Sequence, residues 1–133
     1  MNSFNLKIMT PEKVFFEGET EQVIVKTTTG DIGICANHVP YVANIVPSPL
    51  KVKKDGEFRV AAITTGLVSV NANEVTIVTP AVEWDDEIDV VRAQKAKELA
   101  ELKMKQHESD KEFKRAEQKL MRAMNRLVVA KRQ

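Results

Sequence analysis

The sequence predicts an α+β protein built in two consecutive parts. Residues 1–84 read as a β-sandwich or flattened barrel, and residues 85–133 as an antiparallel α-helical hairpin. Three observations carry this reading. Up to about Pro80 the chain is a series of short, β-branched runs separated by turn residues. From Ala81 to Gln133 it contains no Gly or Pro and is dominated by Ala, Leu, Lys, Glu, Arg and Met, the strong helix formers. The charge also changes sign: residues 1–91 hold 7 Lys/Arg against 13 Asp/Glu, and residues 92–133 hold 13 against 6. Such polarity suggests two units with different partners, and lets the halves attract one another.

The β elements follow in order. Phe4, Leu6 and Ile8 alternate with Asn5 and Lys7, the period of a strand with one buried face. EQVIVKTTTG is β-branched and ends at Gly30, and the runs DIGIC, YVANI, LKVKK, EFRVAAITTG, LVSV and EVTIVTP come after it. Asp55-Gly56 joins two of them as a hairpin turn, because both residues tolerate positive φ. Asn71-Ala72-Asn73 marks another turn. Eight or nine strands result, with Pro11, Pro40, Pro47 and Pro49 between them, where they break no ladder. Cys35 sits in an apolar alternation and reads as a small buried hydrophobe. As the lone cysteine it forms no internal disulfide, which fits a reducing interior.

The helical part opens on Glu83, Asp85, Asp86 and Glu87, negative charge favourable at a helix start. Gln106-His107-Glu108-Ser109-Asp110 interrupts it, and Ser109 with Glu112 forms a capping box that restarts a helix. Ala93, Ala96 and Ala100 give the first helix a smooth face. Phe113, Ala116, Leu120, Ala123, Leu127 and Ala130 give the second a narrow seam resembling a coiled coil. Two thin stripes bury little surface, so the hairpin needs support and is expected to be movable.

Composition excludes several classes. At 43% hydrophobic and 29% charged residues the chain is globular rather than disordered. No apolar run approaches the ~20 residues of a spanning helix, and MNSFNLKIMTPEK lacks the pattern of a signal peptide, so the chain is expected to stay in the compartment where it is made. There is no Ser/His/Asp set, no pair of catalytic carboxylates, no P-loop and no Gly-rich dinucleotide loop, so no enzyme is expected. His38 lacks neighbours at ligand spacing, so no metal site is expected. The basic second helix suggests nucleic-acid binding, but the acidic β half and the scarcity of aromatics argue against it.

Two constellations remain. Asp89 and Arg92 in Ile88-Asp89-Val90-Val91-Arg92-Ala93 are three apart on one helical face. They are either an ordinary ion pair or an acceptor for adenine or ribose beside a guanidinium for phosphate. Arg115, Lys119, Arg122 and Arg126 are spaced four, three and four and fall within about 60° of arc. Four mutually repelling cations are either a solvated face or a stripe that anions meet.

Several segments resemble the ε subunits of bacterial F-type ATP synthases: MTPEKVFFEGE, TTTGDIGICANHVPYVANIVPSPLKV, AAITTGLVSVNANEVTIVTPAVE and, at the junction, IDVVRA. The resemblance covers the full chain in order and at the right length. It implies a non-catalytic central-stalk subunit whose β domain binds the γ shaft and sits on the c-ring, with Asp31 in the Gly30–Gly33 loop, and His38 after it, as rotor contacts. The hairpin would lie folded or extend along γ into the α/β catalytic head, where Arg115, Lys119, Arg122 and Arg126 would meet acidic surfaces and suppress ATP hydrolysis. ATP is the implied regulatory ligand, with no obligatory cofactor. Arg122 and Arg126 would hold its phosphates opposite Glu83, Ile88, Asp89 and Ala93, with Arg92 nearby. Leu99 stands where some nucleotide-binding members carry a further arginine. The implied location is peripheral, on the cytoplasmic face of the plasma membrane, in a complex that moves protons.

Overall fold

The computed structural model describes residues 3–72 and 74–131 and divides into two compact units, one ending at Trp84 and one beginning at Asp85. Among the described residues the first unit has ten strands. They are β1 (Phe4–Met9), β2 (Val14–Thr20), β3 (Gln22–Thr27), β4 (Gly30–Cys35), β5 (Tyr41–Ile45), β6 (Ser48–Lys54), β7 (Glu57–Ile63), β8 (Gly66–Asn71), β9 (Glu74–Val78) and β10 (Val82–Trp84). They pair in the order β10-β7-β6-β3-β5-β8-β9-β1-β2, with β4 hydrogen-bonded to β3. Among the described residues only β1 and β9 run parallel; the other pairs are antiparallel.

The ladder folds over one core, a nearly closed flattened barrel. Alternation places Leu6, Ile8, Val23, Val25, Ile34, Leu50, Val68 and Ile77 inside, each at most 1% exposed. Burying side chains of this size contributes about 1.5–3 kcal/mol apiece, so this unit carries its own stability. At its end Trp84 is held on two sides. Its ring stacks on Phe15 at 4.8 Å, and the Arg59 guanidinium lies 3.8 Å from its centroid. Asp55 and Gly56 take φ of 54° and 80°, as the Asp-Gly turn requires. The Gly56 N–H also donates to Glu21 Oε1 at 3.0 Å.

Four local expectations change. Cys35 is exposed, because the inward positions of β4 are the even ones and Ile34 takes the core place beside it. Pro49 lies inside β6, opposite Ala62; β3 pairs with β6 only at Lys51–Lys53, so at Pro49 the missing N–H breaks no bond to β3. The β part continues past Pro80 into β10, which pairs Val82, Glu83 and Trp84 with β7. The acidic residues Asp85–Glu87 form a 3-10 turn rather than the first turn of the α-helix. In the Asn71-Ala72-Asn73 turn, Asn73 lies outside the described residues, but Asn71 pairs with Glu74, as a two-residue connection demands.

The second unit is a helical hairpin of α1 (Val90–Gln106) and α2 (Asp110–Ala130). Asp89 caps α1, its Oδ1 accepting the Arg92 N–H at 3.0 Å. Ala93 and Ala100 on α1, and Ala116 and Ala123 on α2, are buried, and their small side chains let the helices approach closely. The turn is built from side chains. His107 takes the left-handed conformation (φ 42°, ψ 54°) that ends α1, its ring stacks on Phe113 at 4.7 Å, and its Nε2 lies 3.1 Å from Asp110 Oδ1. Ser109 Oγ accepts the Glu112 N–H at 3.1 Å and starts α2. Replacing Ser109 by Ala is expected to cost the helical unit about 1 kcal/mol. Far-UV circular dichroism during thermal melting measures it, and an unchanged helical transition would show that the cap is dispensable.

Candidate functional site

Two surfaces stand out. The first is on the β unit. Register along β5, β8 and β9 puts Val42, Leu67 and Val78 on the outward side: Leu67 faces Val78 directly, Val42 faces Ser69, and Asn44 faces Leu67. These three apolar residues are 63%, 42% and 47% exposed, and Val39, just before β5, is 70% exposed. Scattered exposed apolar residues are ordinary; neighbours across three adjacent strands form a continuous patch of the kind that marks an interface. Sequence reasoning missed it. The signal was present, because the runs YVANI, LVSV and EVTIV each carry an apolar residue out of phase with the buried ones.

Asp31 and His38 do not share one turn. The reversal before β4 is at Thr28–Thr29, closed by Thr27 Oγ1, which donates to the Gly30 carbonyl at 2.8 Å and accepts the Thr29 N–H at 3.2 Å. Gly30 takes φ of 121° there. Asp31 is therefore an exposed strand residue opposite Lys26, while His38 lies three positions beyond the far end of β4. The His38 ring is engaged locally: Nδ1 is 2.9 Å from the Val39 carbonyl, and Tyr41 meets the ring edge-on at 6.2 Å.

The second surface is on the helical unit. A cleft of roughly 200 Å³ opens between α1 and α2. Ala96, Leu99, Ala100, Ala116 and Ala123 form its apolar floor, and Lys103, Lys119, Arg122 and Arg126 complete the lining. The structure thus brings Lys119, Arg122 and Arg126 together at one cavity, as the stripe required, and adds Lys103, which the sequence did not single out. Arg115 is turned to Glu112, whose carboxylate lies 3.7 Å away, and does not line the cleft.

The IDVVRA segment does structural work first. Ile88 is 8% exposed and Ala93 1% exposed, Asp89 caps α1, and the Arg92 side chain is exposed. None of these four lines the cleft. Glu83 belongs to β10, half-buried, opposite Ala62. Among the described residues no group of three or more His, Cys, Asp or Glu is placed to hold a metal ion, and no helix is long and apolar enough to cross a membrane.

Comparison with known proteins matches both units. Residues 3–85 fit the family model described as ATP synthase, Delta/Epsilon chain, beta-sandwich domain, and residues 86–131 fit the long alpha-helix domain of the same chain. The chain is 53% identical over 131 residues to the ATP synthase epsilon chain of Ruminococcus albus, covering 98% of each. It is 45% identical over 129 residues to the one from Caldanaerobacter subterraneus subsp. tengcongensis, covering 96% of this chain and 94% of that protein. In fold it overlays a chain from the Euglena gracilis mitochondrial ATP synthase (OSCP/F1/c-ring, cryo-EM) with a TM-score of 0.85 at 22% identity, covering all of this chain and 83% of the other.

Proposed function

The chain belongs to the family of ATP synthase epsilon chains, non-catalytic subunits of that complex, and from that premise we propose how its two surfaces are used. The β unit couples rotation. Its outward patch around Val42, Leu67 and Val78 docks on the γ shaft, and Asp31 and His38, toward opposite ends of β4, are rotor contacts through the family resemblance alone. Desolvating an exposed apolar patch supplies affinity that the polar strands around it lack. The chain works peripherally, at the cytoplasmic face of the membrane, as part of a proton-driven rotor.

The helical unit regulates. When extended along γ into the α/β head, its cationic stripe meets acidic surfaces and blocks hydrolysis. When folded back, it holds ATP, with Arg122 and Arg126 on the phosphates. Glu83, Ile88, Asp89, Arg92 and Ala93 belong to this set through the family resemblance alone. ATP favours the folded state by binding it and not the extended one. The observation that carries this reading is the convergence of four cations at one cleft with no carboxylate in its lining.

Isothermal titration of the isolated chain with ATP, with and without Mg²⁺, tests it. Saturable heat is expected, and replacing both Arg122 and Arg126 by Gln should weaken binding at least about a hundredfold, two charge-assisted contacts at about 1.5–3 kcal/mol each. No heat at millimolar ATP would remove nucleotide control while leaving the coupling role.

A further inference from the structure

We infer that the outer edge of β4 is a docking surface for a second copy of this chain, the two strands pairing antiparallel about a two-fold axis at Gly33. The pairing belongs to the free chain and requires neither the nucleotide nor the rotor reading.

Backbone direction defines the edge. Among the described residues β4 is hydrogen-bonded to β3 alone. On β3 the Lys26 carbonyl accepts the Val46 N–H at 3.1 Å, so Lys26, and with it Ile24 and Gln22, point their backbone groups away from β4. The bonds between β3 and β4 therefore join Val23 to Ile34, Val25 to Ile32 and Thr27 to Gly30. That leaves the N–H and C=O of Asp31, Gly33 and Cys35 along the outer side of β4, and all three residues are exposed. Proteins blunt such rows with bulges, charges or very short edge strands. The two ends of the sheet order do so. β2 has a register shift against β1 at Ile8/Met9 and carries Glu17 and Glu19, and β10 has three residues. β4 keeps one register from Gly30 to Cys35 and carries one charge, Asp31.

The edge is complementary to itself in one register. Centring the two-fold on Gly33 sets Gly33 opposite its copy and Asp31 opposite Cys35 of the second copy, and every outward N–H and C=O of the three residues is paired. A centre at Ile32, Ile34 or Cys35 leaves part of the row unpaired, and a centre at Asp31 opposes two carboxylates. On the inner face the Gly33 register brings Ile32, partly buried at the margin of the core, opposite Ile34 of the second copy, so the apolar layer continues across the seam. The contact is isologous and closes at two copies, which uses up the edge instead of propagating it.

Sedimentation equilibrium of the full chain in a thiol reductant, from about 10 μM to about 1 mM, tests the pairing, because a seam this small lies at the weak end of protein interfaces. Reversible dimers are expected. Cys35→Lys creates two opposite-charge pairs with Asp31 across the seam and should tighten association about three- to tenfold relative to Cys35→Ser. Cys35→Glu opposes a second carboxylate to each Asp31 and should weaken it by a similar factor. Net charge alone predicts the reverse order, since the chain stands at +1. Amide hydrogen exchange of the parent chain, followed by NMR, should show protection at Asp31, Gly33 and Cys35 that grows with concentration, while Ile32 and Ile34 are protected throughout. This measurement decides the question even where a variant fails to fold. A monomer up to about 1 mM would overturn the inference. So would a dimer indifferent to both charged variants, or one whose concentration-dependent protection falls on β5, β8 and β9 instead of β4.

Discussion

Removing residues 85–133 is expected to leave a folded β unit that still assembles, while ATP hydrolysis by the complete complex rises several-fold. The core of Leu6, Ile8, Val25, Ile34, Leu50, Val68 and Ile77 lies wholly in the retained part, and Trp84, stacked between Phe15 and Arg59, closes its last strand. Ending the chain after Trp84 therefore cuts no strand pairing of the barrel. The size of the increase reads out the hairpin's resting state. If the blocking form holds half of the complexes, hydrolysis doubles; if it holds nine-tenths, hydrolysis rises about tenfold. The assay is steady-state hydrolysis by the reconstituted enzyme, with ATP-driven proton pumping measured alongside. A hydrolysis rate equal to that of the intact enzyme would exclude an inhibitory hairpin. Loss of pumping would show that the helices are needed for coupling too.

The division into a β part and a helical part was legible because the two periods differ and because Gly and Pro vanish together after Pro80. Buried alternation in β1, β3 and β6, the Asp55-Gly56 turn and the Ser109 cap were equally plain, since each depends on a few adjacent residues. What escaped depends on distant partners. Phase decided Cys35: the run DIGIC fits a strand in either register, and only pairing with β3 makes Ile34 the inward residue. The short strand β10 has too few residues to show a period and exists because β7 offers it an edge. The acidic residues before α1 suited a helix start, but Asp89, four positions beyond Asp85, supplies the actual cap. For the site, the spacing of Lys119, Arg122 and Arg126 announced a cationic stripe. Only the packing of α1 on α2 adds Lys103 and makes the stripe one side of a cavity.

The outward patch on β5, β8 and β9 supports the prediction with the largest effect on assembly. Changing Val42 to Glu and Leu67 to Lys together is expected to weaken binding to the γ shaft about a thousandfold. Interface anchors lose ~2 kcal/mol or more when truncated, and two of them exceed the ~4 kcal/mol that three decades require. Inserting charges adds desolvation to the lost contact. The fold should tolerate both changes. Val42 and Leu67 are 63% and 42% exposed, and substitutions at such places usually stay within ~0.5 kcal/mol. Leu67 faces Asn44 across β5, so Val42 lies diagonally from it, and opposite charges at these two positions attract rather than strain the sheet. Urea unfolding of the isolated variant and its affinity for purified γ, measured by interferometry, separate the two effects. An unfolding midpoint close to the parent with γ binding lost identifies this face as the docking surface. Full γ binding by the variant would move the interface elsewhere on the barrel and leave Val42, Leu67 and Val78 as chance neighbours.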